Sequence, residues 1–589
     1  MITVKTAATS EPAPSPSQIQ AQQSLQVRTF DVANAAFLTS QGLSPLLAQI
    51  YAARGITALA EIEPSLDQLL APQTLKGMDE AIDLLVKSLQ NNSKILIVAD
   101  YDCDGATACA VAVKGLTLLG FSQDNVDYIV PDRSKFGYGL TAELVAAHVL
   151  PRMPNVVVTV DNGIASKDGV ALARAHGLQV LVTDHHLPGE HLAQPDAMVN
   201  PNQAGCEFKS KALAGVGVMF YTLLALRTKL RDAGIGNGNA PLQQLLDLVA
   251  VGSVADLVPL DLNNRILVNH GIARIRKGQA QPGVLALLRA AGRSYSQLEI
   301  RDIGFAIGPR LNAAGRMADM ALGIACLLSE DESQAAQLAQ SLNAINDERK
   351  QTQSDMLLQA TLPSVKPLSH SLTLLDESFH PGVVGLVATR LKDTWLVPTF
   401  VMGLAQDNPL EVRGSGRSIA GVHLRDALDL ISKSHPDLIT RFGGHAMAAG
   451  LTMDASKVDQ FALALNQAVI DLVGSERPLS TIWVDQLNDP SQLTIELSKQ
   501  LRWATWGQRF EAPSFQMQAQ VISQTLVKEK HLKLKVRLKG QGKAQEFTAM
   551  RFFSTENAPA NCLIVFSLLT DEFRGVSQLT LNISHIRPQ

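Results

Sequence analysis

Charge is sparse in this chain of 589 residues: Asp, Glu, Lys and Arg make up only 18% of it, against about a quarter in an average soluble protein. Lys+Arg 51 against Asp+Glu 55 leaves a formal charge of −4. That excludes a uniformly basic nucleic-acid coat and leaves room only for a local basic patch. Cysteine is scarce too. Cys103, Cys109, Cys206, Cys326 and Cys562 are odd in number and include no C-x-x-C pair, which argues against a disulfide framework or a cysteine zinc site and for a reducing, cytoplasmic setting. No apolar run is long enough for a membrane: the longest, 214–226, has 13 residues, whereas about 20 are needed to span. The first 26 residues are rich in Ser, Pro, Ala, Gln and Thr and carry no apolar core, so they do not read as a signal peptide, and residues 1–40 are expected to form a disordered tail.

Apolar residues are plentiful at 46%, and at about 150 residues per domain the length predicts three or four domains. Residues 94–184 alternate short apolar runs (95–99, 126–130, 156–160, 179–183) with helix-like stretches (106–119, 141–150, 166–176). This is the pattern of a parallel α/β sheet buried on both faces. Three of its four strands end in Asp: Asp100, Asp161 and Asp184. Ligands of such sheets bind beyond the carboxyl ends of the strands. Residues 241–360 read as mostly helical, with the polar stretch 329–362 as a long connecting helix. A second α/β unit follows over 371–473, with Gly-rich turns at 414–418 and 443–445, and the last hundred residues alternate as β-structure.

The chemistry concentrates in the first sheet. Asp100, Asp102 and Asp104, with Gly105, stand at alternate positions where a strand gives way to a helix. Taken alone, Asp104 could simply cap that helix while Gly105 eases the turn. Asp161, before Asn162 and Gly163, could be a turn residue. Asp184 followed by His185 and His186 is harder to dismiss, and Asp256 sits in an apolar stretch where an unpaired carboxylate is costly. Parallel strands lie about 4.8 Å apart, so these groups converge on one crevice. Carboxylates so close repel each other and titrate high unless cations sit among them. Carboxylates with imidazoles and no thiolate suit manganese or magnesium. Two such ions about 3.5–4 Å apart would clamp a phosphoryl centre, activate water and stabilise the leaving oxygen. Phosphoester hydrolysis is the reaction class these residues indicate.

The D-x-D-x-D-G motif at 100–105, the D-x-G motif at 161–163 and the D-H-H motif at 184–186, in this order on this sheet, resemble the DHH phosphoesterases. The stretches 47–56, 75–78, 99–107 and 308–316 extend the resemblance toward the family's single-strand-specific 5′→3′ exonucleases, and it runs from residue 43 to the C-terminus. It implies a DHH domain with an N-terminal extension over 41–270, a helical connecting region over 271–365, a DHH-associated domain over 366–475 and an OB-type barrel over 476–589. It further implies that Asp102, Asp104, Asp161, His185 and Asp256 ligate two divalent ions, manganese or magnesium. Asp100 would stand among them or directly behind, Asp184 would orient its neighbours and His186 would face the scissile phosphate. Cys103 is read as a small filler. By the same resemblance Arg133 contacts a phosphate, Ser415 and Arg417 hold the 5′-terminal phosphate, and the loop of Gly443, Gly444 and His445 lines the cleft. Arg310, Asn312 and Arg316 lie in an otherwise apolar or Gly-rich stretch. Buried arginines need anionic partners, which a nucleic-acid backbone or the carboxylate cluster would supply.

The C-terminal region argues independently. Leu532, Leu534, Val536 and Leu538 alternate with Lys533, Lys535, Arg537 and Lys539, so with period two one strand face is apolar and the other cationic. Residues 515–553 hold eight Lys/Arg and two Glu, a local charge of 8 − 2 = +6. With Phe547, Phe552 and Phe553 nearby, this fits a barrel that tracks single-stranded nucleic acid. The expected function is a single-stranded-DNA exonuclease of recombination and repair, monomeric, with no membrane partner and with room for a helicase or a single-strand-binding protein. Smaller DHH enzymes acting on pyrophosphate or dinucleotides generally lack the cationic barrel, and a non-enzymatic scaffold would have no use for a complete ligand set.

Overall fold

The computed structural model describes residues 23–189, 191–360, 365–405, 408–478, 480–573 and 576–589; the side chains of residues 133, 134, 571–573 and 576 lie outside that description. The chain divides into two units. One is Phe30–Asn346 with Lys499–Ala512, and the other is Met1–Thr29, Asp347–Ser498 and Pro513–Gln589.

The tail expected over 1–40 is ordered in its second half. Ser24–Val27 forms strand β1, paired in parallel with Thr481–Val484. Val32–Ser40 is a helix whose N-cap Asp31 accepts from the Asn34 N–H at 3.1 Å. A single added strand draws its hydrogen bonds from its partner's edge, so a polar sequence can be ordered there without an apolar face of its own. Residues 1–22 lie outside the described residues.

In the Phe30–Asn346 unit, β2 (Ile95–Ala99), β3 (Val126–Ile129), β4 (Val156–Val160), β5 (Gln179–Thr183) and β6 (Ala197–Val199) form a wholly parallel sheet in the order β3-β2-β4-β5-β6. β2 and β4 are buried along their whole length, as continuous Ile/Val runs require in a sheet covered on both faces. The chain leaves β2 on one side for β3 and returns on the other for β4. That reversal opens a crevice at the carboxyl ends of β2 and β4. Helices α1 (Cys103–Leu118), α2 (Gly215–Ala233) and α3 (Leu246–Ala255) pack together. The apolar run at 214–226 is the buried first half of α2, and no helix among the described residues is long and apolar enough to cross a membrane. The stretch 141–150 is not one regular helix: a short turn Ala142–Leu144 passes through a π-turn, Val145–Val149, into a 3-10 turn, Leu150–Arg152, where Pro151 lacks the N–H that would continue an α-helix. After α4 (Gly308–Met317), the 29-residue helix α5 (Glu332–Ala360) carries the chain from one unit into the other.

The second unit orders β7 (Leu372–Leu375), α6 (Val384–Trp395), β8 (Thr399–Leu404), β9 (Glu411–Arg417), α7 (Leu424–Ser434), β10 (Arg441–Gly444), β11 (Ala448–Asp454) and α8 (Val458–Val473) along the chain. The sheet runs β10-β11-β9-β8-β7, antiparallel except for β7 with β8. Phe400, Met402, Val412 and Leu451 on one face pack against Leu428 and Phe461 of the helices. After β12 (Thr481–Val484) comes a closed barrel of β13 (Phe515–Val527), β14 (His531–Lys539), β15 (Gln545–Arg551), β16 (Asn561–Phe573) and β17 (Val576–Pro588), in the order β13-β14-β15-β17-β16. Five strands closed in this way are the OB arrangement.

Candidate metal centre and phosphate contacts

Asp102, not Asp104, caps α1: its backbone is extended and its carboxylate accepts from the Gly105 N–H at 3.0 Å. Asp104 is therefore turned inward from the first turn of the helix. It is buried and accepts from the N–H groups of Gly215 (2.6 Å) and Val216 (2.9 Å) at the start of α2. Gly105 eases no turn. A Cβ there would lie 2.5 Å from the Asp100 carbonyl oxygen, so glycine is what lets the helix abut the strand end. Asp161 follows β4 with a left-handed φ of 63°, a conformation Asp tolerates better than most residues. Gly215 leaves it room, since a Cβ at 215 would come within 2.5 Å of the Asp161 Cβ.

His185 sits at the centre. Its Nε2 is 3.1 Å from Asp161 Oδ1, 3.6 Å from Asp256 Oδ2 and 3.8 Å from Asp104 Oδ2. Three sets of donor atoms each lie within 4.8 Å of one another: Asp161, His185 and His186; Asp104, His185 and Asp256; Asp100, Asp102 and Asp161. The five residues expected as ligands, together with Asp100, are thus brought to one place. Burial and then the charge of Asp102 push Asp104 up to about 7; burial and then the charges of Asp104 and Asp102 push Asp256 up to about 9 and Asp161 well above the ordinary carboxylate range. Burial pushes His185 down to about 4, which leaves its ring a neutral donor. Asp161 Oδ1 is buried and, although close to His185 Nε2, is not aligned to accept a hydrogen bond. Clustered carboxylates that titrate high, a neutral imidazole and an unsatisfied buried oxygen fit divalent cations, which would relieve all three. Cys103 is buried and its thiol is pushed up, first by burial, as a small filler would be.

Asp184 is fully buried and accepts from the N–H groups of Ile164 (2.9 Å), His185 (2.7 Å) and His186 (3.1 Å), and from His186 Nδ1 (2.8 Å). Burial opposes the charge on His186, but the hydrogen bond and charge of Asp184 outweigh it and hold the ring at about 9. In the metal-free protein Asp184 thus favours the imidazolium form of His186. Asn200 and Asn202 donate to the His186 and His185 carbonyls at 3.0 and 2.6 Å. Tyr138 places its hydroxyl 3.2 Å from the His186 ring nitrogens and from the Asp161 carbonyl. These three supports were not singled out in the sequence. The one available signal was Gly137 and Gly139 flanking Tyr138, both with positive φ.

The stretch 308–316 packs behind the aspartate loop. Asn312 Oδ1 accepts from the Cys103 N–H at 2.8 Å, and a Cβ at Gly315 would lie 1.9 Å from the Tyr101 carbonyl oxygen. The α4 helix thus props the aspartate loop from behind. Arg310 is buried and donates to Asn343 Oδ1 from Nε (3.0 Å) and Nη2 (2.6 Å), and to the Ala306 carbonyl (2.7 Å). Arg316 is half-buried on the same helix. Arg133 begins the short helix Arg133–Phe136, and its side chain lies outside the described residues.

In the second unit, Arg417 Nη1 donates to Ser415 Oγ at 2.9 Å, and the first turn of α6 lies against both: a Cβ at Gly385 would be 2.9 Å from Ser415 Oγ. A serine, an arginine and a helix N-terminus are groups whose chemistry suits an anion. Gly443 and Gly444 end β10, and the His445 N–H donates to the Ala448 carbonyl (2.7 Å), with the His445 side chain exposed.

On the barrel, β14 has the expected alternation, with Leu532, Leu534, Val536 and Leu538 buried. Its cationic face is partly neutralised from β15, where Glu546 pairs with Lys535 (2.8 Å) and Arg537 (2.7 Å). Phe547 is in register with Val536 and so shares the apolar side rather than the cationic one. Phe552 and Phe553 are exposed and edge onto His531.

Three family models match the chain: DHH family, N-terminal domain, over residues 94–253; DHHA1 domain over 367–471; and RecJ OB domain over 484–585. The single-stranded-DNA-specific exonuclease RecJ of Salmonella typhimurium is 41% identical over 581 residues, covering 96% of this chain and 100% of that one. The crystal structure of RecJ in complex with Mn2+ from Thermus thermophilus is similar with a TM-score of 0.79 at 27% identity, over 96% of this chain and 79% of that one. The Mg2+ complex from the same source gives 0.76 at 25% identity, over 97% of this chain and 79% of that one. With this identity over the whole of a relative's length, and with sheet, helices and barrel in the corresponding order, the chain belongs to the RecJ family of DHH phosphoesterases.

Proposed function

We propose that this chain is a single-stranded-DNA-specific exonuclease that hydrolyses phosphodiester bonds with manganese or magnesium, proceeds 5′→3′ and releases 5′-mononucleotides. The observation that carries the reading is the convergence of Asp100, Asp102, Asp104, Asp161, His185 and Asp256 at the switch point of the parallel sheet. Asp102, Asp104, Asp161, His185 and Asp256 would hold the ions, with Asp100 beside them. Bound there, divalent ions supply charge neutralisation at the phosphoryl oxygens and a water of lowered pKa.

The chain's own groups do the rest. Asp184 favours the protonated ring of His186, and with Nδ1 committed to Asp184 the Nε2–H, which lies beside the Tyr138 hydroxyl, would serve a phosphate oxygen. Hydrolysis adds a hydroxyl to phosphorus and breaks the P–O3′ bond. The departing O3′ needs a proton, and Nε2 of His186 is the charged donor at hand. Ser415, Arg417 and the α6 N-terminus would hold a terminal phosphate, which supports the 5′ polarity. The Lys533–Lys539 face of the barrel would hold the strand through its backbone charge, a contact that tolerates any sequence. Five free cysteines agree with work in a reducing cytoplasm. Monomeric action on strands exposed by a helicase or coated by a single-strand-binding protein completes the proposal.

The test is digestion of a long single strand labelled at either end, with Mn2+ and a blunt duplex as control. Early release of a labelled mononucleotide from the 5′ end alone, with the duplex spared, is expected. Early release from the 3′ end would overturn the polarity, and cleavage of dinucleotides or pyrophosphate alone would overturn the exonuclease reading.

A further inference from the structure

The face of the β9-β11-β10 sheet that bears Ser415 and Arg417, and against which the first turn of α6 lies, carries a second row of groups. Strand register places Gly443 opposite Gly450 and Gly450 opposite Ser415; one step along, Arg441 is opposite Thr452 and Thr452 opposite Arg413. Val412, Leu451 and Met453 point the other way, into the helix-packed core, so these two rows share the face away from it.

Among the described residues nothing accounts for the glycines of the first row. A Cβ at Gly443 would meet nothing within 4 Å, and one at Gly450 would meet only the Gly414 carbonyl oxygen at 3.7 Å. Neither has a left-handed φ. Their neighbours differ: Gly416 is required because a Cβ would strike the Phe400 ring at 2.4 Å, and Gly444 has a φ of 139°. Glycine inside a strand weakens it and marks places where a ligand comes close to the backbone. Here two such positions lie side by side, forming a floor between Arg413 and Arg441 on one side and Arg417 on the other. Glu411 and Asp454, paired with each other, close the far end of the face with carboxylates.

We propose that Arg413, Thr452 and Arg441 form a second phosphate subsite, so that this face takes two neighbouring phosphate groups of one strand over the Gly443–Gly450 floor. The two rows are about 7 Å apart along the strands, within reach of long guanidinium side chains on either side. The second group comes either from a 5′-di- or triphosphate end or from the next phosphodiester of the strand. This inference rests on the proposed exonuclease reading and adds to it a preference for particular 5′ ends or minimum lengths.

The test uses the full chain loaded with Mn2+ and hydrolysis-resistant phosphorothioate thymidine dimers and hexamers carrying a 5′-hydroxyl, 5′-monophosphate or 5′-triphosphate, measured as competitors of a labelled strand. If the second group is terminal, triphosphate ends bind about tenfold more tightly than monophosphate ends, and R413Q with R441Q removes that gain. If it is the next phosphodiester, the two ends bind alike and the double variant instead removes the gain from dimer to hexamer. Gly450→Ala brings a methyl group into no more than ordinary van der Waals contact, so its melting temperature should not fall below that of the parent, while its affinity for phosphorylated oligomers falls. Parent-like affinities for all six oligomers in both R413Q/R441Q and G450A would overturn the subsite. A parent chain that degrades no single strand would overturn the exonuclease reading instead.

Discussion

At the scale of the residue, the site depends on environments that push like groups apart. Asp184 and Asp161 both follow sheet strands and both are fully buried. Asp184 receives three backbone N–H groups and an imidazolium and titrates low; Asp161 faces other carboxylates and titrates high. One is an orienting anion and the other a ligand in waiting for a cation. Asp184→Asn should therefore act through His186. Without the carboxylate, the ring loses the support that holds it at about 9 and titrates nearer the ordinary 6.5 or so of histidine. The expected result is a loss of kcat of about 10- to 100-fold at pH 8, smaller at pH 6 where the ring is still charged, read from pH–rate profiles of the two chains. Equal losses at both pH values would show that Asp184 serves only to hold the loop.

At the scale of the element, close approach rather than charge governs the aspartate loop. A methyl at Gly315 would collide with the Tyr101 carbonyl, and the backbone shift needed to accommodate it costs about 1–3 kcal/mol. Gly315→Ala should thus lower both the melting temperature and the Mn2+ affinity. Asn312→Ala leaves the Cys103 N–H without its side-chain acceptor, at a cost of about 1–3 kcal/mol. Calorimetric unfolding with and without Mn2+ checks both, and a Gly315→Ala chain with parent-like metal affinity would separate α4 from the site. These contacts also show what was legible. The parallel sheet, the aspartates at its strand ends and the alternating β14 strand follow from period and strand-end chemistry, which are local. The bracing contact made by 308–316 does not: a lone sequence shows residue type but not the backbone group that the Asn312 side chain meets 209 residues away. The exposure of Glu546 toward the cationic strand was invisible for the same reason, as strand partners are set by register. It carries its own prediction. Glu546→Gln removes the anion shared by Lys535 and Arg537, so single-strand affinity should rise and the slope of log K against log salt steepen by about 0.7 for each phosphate newly neutralised; fluorescence anisotropy across a salt series measures it, and an unchanged slope would place the strand elsewhere on the barrel.

At the scale of the whole molecule, the cluster links metal, proton and folding equilibria. Asp104 at about 7 and Asp256 at about 9 are acids whose folded values lie above the unfolded value near 3.8. His186 at about 9 lies above its unfolded 6.5. Above pH 6.5 the folded state therefore holds protons that the unfolded chain has released, and stability must fall as pH rises toward 9. Below 6.5 the picture is mixed. His185, at about 4, binds its proton less readily when folded and so favours stability as pH rises from 4 to 6.5, against the trend of the carboxylates. The clean window is pH 6.5 to 9. In EDTA, the melting temperature of the full chain should decline across it, and Asp256→Asn should flatten the decline because one of the strained acids is gone. Divalent ions bind the deprotonated ligands and release their protons, so saturating Mn2+ should raise the melting temperature most at the alkaline end, where the metal-free fold is weakest. A metal-induced gain that is constant from pH 6.5 to 9 would mean that the ions bind without displacing protons, and the cluster of Asp104, Asp161 and Asp256 could not then be their seat.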